Sequence, residues 1–303
     1  MEFLYILEKL RVPVLNELML GITTLGEETA FLALALIFFW CIDKKRGYLL
    51  MAVGFTGTIL NQFLKLACRV PRPWVLDPNF TILEQAREAA SGYSFPSGHT
   101  QFAVGTFGSI CATEKNKWIR GICIALMVLV PFSRMYVGVH TPSDVLVGAG
   151  MALALVWLMR RPVMGGNEKT MKLLIGGMIA LALVFLAYVE LWQFPADIDP
   201  HNLESGMKNA YTMLGCLAGV AIVYVVDTKY LKFDTRAIWW AQMIKAGLGL
   251  VVVLAVKSVL KAPLAALFAG HMAARGLRYF FVVLTAGILW PMTFKWFQKL
   301  SEV

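Results

Sequence analysis

Residues 31–60 read FLALALIFFW CIDKKRGYLL MAVGFTGTIL, two apolar runs separated by a polar turn of Asp43, Lys44, Lys45 and Arg46. Continued outward, each run reaches the roughly 20 residues that a helix needs to cross ~30 Å of hydrocarbon. A bilayer offers no water to the backbone, so a chain that crosses it repeatedly does so as helices whose N–H and C=O groups bond internally. The pattern recurs along the chain and predicts spans over 24–42, 47–66, 98–113, 118–134, 143–160, 172–192, 210–227, 238–256 and 278–297. Composition agrees. Of 303 residues, 58% are hydrophobic and 16% charged, with a mean hydropathy of +0.66, which excludes an ordinary soluble domain. The expected fold class is all-α: a polytopic membrane helical bundle of about nine transmembrane helices.

The first twenty residues mix Glu2, Glu8, Lys9, Arg11 and Glu17 with leucines and predict an amphipathic interfacial helix rather than a cleaved leader. The net charge of +9 needs no nucleic-acid partner, because short connections on one side of the map (43–46, 115–120, 160–172 and 229–236) hold much of the lysine and arginine. Basic connections stay in the cytoplasm, so that side is expected to be cytoplasmic, with the N-terminus and the long 67–96 segment outside. Cys41, Cys68, Cys111, Cys123 and Cys216 have no metal-cage or disulfide-framework spacing. Every dense polar motif lies before about residue 161. The chain is therefore divided into an interfacial helix and catalytic core, 1–162, and accessory transmembrane helices, 163–303.

Three clusters fall at span ends on the same predicted face. In the first, Lys65 is followed after six residues by Arg72, which stands between Pro71 and Pro73. The prolines restrict the backbone, and a guanidinium fork beside an ammonium suits phosphate oxygens, although interfacial cations also snorkel for bland reasons. The second is Pro96-Ser97-Gly98-His99 at the start of a span. Ser97 is a good helix N-cap, Gly98 lets a ligand approach the backbone, and free N–H groups there attract anions beside His99. The third is Ser133-Arg134, then His140, then Asp144. Thr141 can cap the next helix with Pro142 and Asp144 at its first and third positions, which gives Asp144 a structural role. The same placement lets Asp144 accept a hydrogen bond from one nitrogen of His140 and leave the other free as a nucleophile or base.

In order and spacing these clusters resemble the type 2 phosphatidic acid phosphatase superfamily, with its Lys-x6-Arg-Pro, Pro-Ser-Gly-His and Ser-Arg-x5-His-x3-Asp motifs. The resemblance spans about residues 25–160 and implies a six-helix-type phosphatase core, leaving the role of the C-terminal helices open. It implies that Lys65, Arg72, Arg134, Ser97 and the Gly98 N–H hold a lipid phosphate or pyrophosphate. His140 would attack phosphorus, His99 would move the proton, and Asp144 would orient His140. No Asp/Glu cluster near the motifs suggests Mg²⁺, so neither a metal nor another cofactor is expected; the partners are a lipid phosphate and membrane lipids. Other readings stay open. A phosphotransferase could use a lipid or sugar acceptor, a glucose-6-phosphatase-like enzyme could take a soluble substrate, and Lys245 and Glu190 in or near spans leave room for a transporter. The vanadate chemistry of soluble haloperoxidases with the same motifs does not suit the composition. Headgroup selection by the 77–91 loop and oligomeric state are not readable.

Overall fold

A computed structural model describes residues 1–90 and 92–299, so Ser91 of the long loop lies outside the described residues. Among the described residues all regular structure is helical. The amphipathic start forms two helices rather than one, α1 (Glu2–Lys9) and α2 (Pro13–Thr24), because Pro13 cannot donate the hydrogen bond that would join them. Then come α3 (Glu28–Ile37), closed by a π turn, and α4 (Lys44–Cys68), capped by Asp43, whose carboxylate accepts from the N–H groups of Lys45 and Arg46. The core continues with a short α5 (Pro73–Leu76), α6 (Gly98–Thr113), α7 (Lys117–Tyr136) and α8 (Pro142–Met164). The accessory helices are α9 (Glu168–Leu191), α10 (Pro200–Val226), α11 (Trp239–Val259), α12 (Lys261–Leu267), α13 (Ala273–Leu284) and α14 (Phe294–Lys299). A division at 162 cuts the last turn of α8, which runs through Pro162 to Met164.

Seven described helices are long and apolar enough to cross a membrane, and α2 with α3, bent by 51° at their junction, make an eighth if counted as one span. The expected span at 98–113 is a helix of 16 residues, only ~24 Å long at 1.5 Å per residue. It packs against α4, α7 and α8 and is buried along most of its length, so it meets protein where a lone span would meet lipid. Lipid-facing surfaces lie elsewhere, on Trp118, Trp157, Leu173, Leu191 and Val259, all exposed apolar side chains of outer helices.

The basic turns gather at one end of the bundle. Lys44 Nζ reaches both carboxylate oxygens of Asp227 at 2.9 Å and Arg46 pairs with Glu114 at 3.0 Å. Lys45 Nζ donates to the Met164 carbonyl at 3.4 Å. The other end collects the C-termini of α4 and α7 and the N-termini of α6 and α8. Over it lie α1 and α2, held by Arg11, whose Nε donates to the Tyr136 carbonyl at 3.0 Å and whose Nη1 donates to the Thr81 carbonyl at 2.8 Å. The bend between α2 and α3 falls at Gly26, where a Cβ would stand 2.8 Å from the carbonyl oxygen of His99. Only glycine lets the break come so close to α6.

Candidate active site

Each functional side chain is placed by a helix end. After α4, Arg69 takes a left-handed conformation (φ 51°), which ends the helix and turns the chain toward Pro71 and Pro73. Arg72 is thereby extended, 5% exposed, with Nε donating to the Gly92 carbonyl and Nη1 to the Val139 carbonyl, both at 2.9 Å. One turn before the end of α4, Lys65 Nζ donates to the Tyr93 carbonyl. Ser97 is the N-cap of α6, its Oγ accepting from the N–H of Thr100 at 3.4 Å, while its own N–H donates to the Asp144 carbonyl at 3.0 Å. That last bond ties the start of α6 to the start of α8.

At α8 both contacts expected of Asp144 are present together. Thr141 and Asp144 cap one another, the Thr141 N–H donating to Asp144 Oδ2 at 2.7 Å and the Asp144 N–H to Thr141 Oγ1 at 3.4 Å. The same Oδ2 lies 3.4 Å from His140 Nδ1. His140 Nε2 is 2.9 Å from Arg72 Nη1, and a guanidinium can only donate, so Nε2 is the acceptor and Nδ1 carries the proton toward Asp144. Burial, then the charges of Arg72, Arg134 and Lys65, hold the His140 imidazole well below the usual histidine range. It is neutral at physiological pH, as a nucleophile must be.

Arg134 is fully buried at the end of α7. Its Nη1 donates to Thr23 Oγ1 at 2.8 Å, whereas Nε and Nη2 have no partner among the described residues; neither has His99 Nε2. Buried donors are normally paired, so the unpartnered guanidinium nitrogens of Arg134 suit an anion. Lys65, Arg72, Gly98, His99 and His140 line one cavity of about 110 Å³, together with Thr58, Asn61, Gln62, Gln101, Phe102 and Ala89. A larger cavity of about 280 Å³ lies between α3, α4 and the accessory helices, but its lining is mainly apolar and includes none of the motif residues. The motif residues gather at the smaller one.

Three contributors were not expected from sequence. Ser94 is fully buried, with Oγ 2.5 Å from Asp144 Oδ2 and 3.4 Å from His140 Nδ1, and it steadies the pair from the loop side. Thr23 holds Arg134 from the N-terminal cover. Asn202, at the start of α10, accepts from the Tyr93 N–H at 2.8 Å and so fixes the peptide whose carbonyl, on Gly92, holds Arg72, next to the Tyr93 carbonyl that holds Lys65. Only Ser94, two residues before Pro96, stood close enough to a motif to be suspected. Lys245, considered above for transport, donates to the Thr235 carbonyl at 2.8 Å.

A family model described as the PAP2 superfamily matches residues 45–165, and one described as PAP2 superfamily phosphatase, transmembrane extension, matches residues 211–302. The second match gives the C-terminal helices a family of their own, which the motifs did not reach. The chain is similar to phosphatidylglycerophosphatase B of Bacillus subtilis (strain 168), 33% identical over 175 residues, covering 53% of this chain and 79% of the relative. It is 30% identical over 141 residues to the undecaprenyl-diphosphatase of Sulfolobus acidocaldarius, covering 46% of this chain and 66% of that protein. To undecaprenyl-diphosphatase BcrC of Bacillus subtilis (strain 168) it is 31% identical over 150 residues, covering 49% and 75%. No solved structure matches the chain.

Proposed function

Because the chain belongs to the PAP2 superfamily, we propose that it is an integral membrane phosphatase that hydrolyses the phosphomonoester or pyrophosphate of a lipid through a phosphohistidine, without a metal ion. The observation that carries this is the meeting of a neutral, Asp144-backed His140 with Lys65, Arg72, Gly98 and His99 around one cavity, with the buried charge of Arg134 acting on His140. Lys65, Arg72 and Arg134, with Ser97 and the Gly98 N–H, hold the phosphate oxygens. Fixed cations there stabilise the charge that spreads over the equatorial oxygens in phosphoryl transfer.

The geometry supports the following steps. Arg72 Nη1 caps the lone pair of His140 Nε2, and a phosphoryl group entering between them gives the guanidinium a stronger acceptor and frees the nitrogen. His140 Nε2 then attacks phosphorus, the bond to the leaving oxygen breaks, and His99 supplies that oxygen with a proton. Asp144 stabilises the charge that forms on the imidazole. Water attacks the phosphohistidine in turn, losing its proton to His99, and phosphate departs.

The site is proposed to face away from the cytoplasm. Support comes from the opposite end of the bundle, where Lys44, Lys45 and Arg46 meet the connections after α6, α8 and α10, a basic concentration of the kind retained in the cytoplasm. A lipid phosphate in the outer leaflet reaches this level with its tail still in hydrocarbon.

The test uses purified protein in detergent with EDTA and no added alcohol. Free phosphate should appear from phosphatidate, phosphatidylglycerol phosphate or an isoprenyl diphosphate, and orthovanadate should suppress it. Activity that vanishes in EDTA and returns with Mg²⁺ would overturn the metal-free mechanism. Phosphate transfer that needs an added acceptor would favour a phosphotransferase.

A further inference from the structure

Below the phosphate-binding groups the cavity changes character. On α4, Thr58, Asn61 and Lys65 lie three and four residues apart and share one face; on α6, Gly98 and Gln101 do the same, one turn apart. Because α4 ends and α6 begins at the catalytic level, Asn61, Gln101 and Thr58 stand deeper in the bundle than Lys65 and Gly98. All three are buried, Gln101 at 1%, Asn61 at 3% and Thr58 at 7% exposure, and all three line the same cavity as His99 and His140.

Among the described residues the amide of Gln101 has no hydrogen-bond partner at either Nε2 or Oε1. An unpartnered amide is expensive in a membrane interior, where no lipid group can replace water. The packing around it is nevertheless specific. Its amide rests on Gly57, where any Cβ would run into it, so space on α4 is kept for a polar group on α6. Asn61 Nδ2 donates to the Pro96 carbonyl at 3.3 Å, and its Oδ1 is the nearest group to a Cβ built on Gly98, at 3.8 Å, which aims it at the start of α6. The ring of Phe102, next to Gln101 on α6, also lines the cavity and is backed by Phe31, stacked on it with centroids 5.2 Å apart.

From the catalytic level inward the lining therefore passes from cations and histidines to neutral amides and a hydroxyl, with the ring of Phe102 as their apolar neighbour. An amphiphile has the same order when an uncharged polar linker joins its phosphate to its tail. A second phosphate in the linker position would meet neutral groups where the first meets three cations. We propose that Gln101, with Asn61 and Thr58, forms a specificity subsite that hydrogen-bonds the uncharged, oxygen-bearing linker of a glycerol-type lipid phosphate. The subsite rests on the phosphatase reading above and narrows its substrate. An amide can donate to an ester or hydroxyl oxygen and accept from a hydroxyl, so both free atoms of Gln101 are used by a linker of this kind.

The experiment compares kcat/KM for phosphatidate, a long-chain alkyl monophosphate with no linker, and an isoprenyl diphosphate, in wild type and Gln101→Leu. The expected result is a fall of at least fivefold in the ratio of phosphatidate to alkyl monophosphate, with no matching fall in the ratio of diphosphate to alkyl monophosphate. Ratios that stay within fivefold, or a loss confined to the diphosphate, overturn the subsite. If the leucine variant does not elute as a monodisperse protein, Gln101→Glu, which keeps the shape and removes the donor, carries the same comparison. Wild-type protein inactive on all three substrates sinks the phosphatase reading itself, a result distinct from a change in ratio.

Discussion

Replacing Ser94 with alanine removes one hydroxyl from the back of the catalytic pair and leaves every cation in place. Its Oγ donates to Asp144 Oδ2 at 2.5 Å and stands 3.4 Å from His140 Nδ1, both within a fully buried cluster. Oδ2 keeps the Thr141 N–H at 2.7 Å, so α8 stays capped, but the carboxylate loses one of three groups that fix its direction toward His140. A hydrogen bond to a charged acceptor contributes about 1.5–3 kcal/mol. If most of that loss reaches the transition state, at ~1.4 kcal/mol per tenfold, turnover falls by roughly ten- to a hundredfold. Ser94 touches no phosphate-binding group, so the loss should appear in kcat, with KM for phosphatidate held within about threefold. The assay is steady-state phosphate release in detergent, with thermal unfolding measured alongside. A kcat within threefold of wild type, or a loss carried by KM, would refute the positioning role.

His140→Ala and His99→Ala should each abolish turnover in a protein that still elutes as folded, since nucleophile and proton carrier act at separate steps; residual activity within tenfold of wild type in either contradicts those assignments. Because the folded state holds His140 neutral where an unfolded chain protonates it, stability should fall as pH drops below about 6.5, with a slope of up to ~1.4 kcal/mol per pH unit from this group. Thermal unfolding between pH 7.5 and 5 should therefore depend less steeply on pH in His140→Gln than in wild type, and equal slopes would count against a depressed His140. For sidedness, single cysteines at the exposed Asn79 and Asn167, in a background without native cysteines, should react from opposite sides with an impermeant thiol reagent in intact cells. Labelling of position 167 but not 79 from outside inverts the topology.

The spans were legible because length and apolarity are local properties, and the three motifs because each pairs a helix end with chemistry inside a dozen residues. Asp144 could even be placed at the third position of α8 from Thr141 and Pro142 alone. Groups that hold these residues from a distance in the chain were not legible. Thr23 lies 111 residues from the Arg134 it binds, and Asn202 lies 109 from Tyr93. Neither has any signal of its own, since a buried threonine and a helix-start asparagine occur everywhere. Gln101 could have been marked as a polar residue on the same helix face as Gly98, yet its lack of a partner emerges only when α4 packs against it. The break at Gly26 was hidden for a similar reason, because the glycine answers to His99 and not to its neighbours in sequence.

Helix α10 is pinned at both ends, by Asn202 to the loop that steadies Lys65 and by Asp227 to Lys44 at the opposite surface. Its 27 residues make a strut of ~40 Å at 1.5 Å per residue. The height at which phosphate is met is thus measured from the protein's own far surface and not from the local lipid. When the surrounding bilayer thins or thickens, the reaction centre keeps its elevation, and what changes is how far a substrate must climb to reach it.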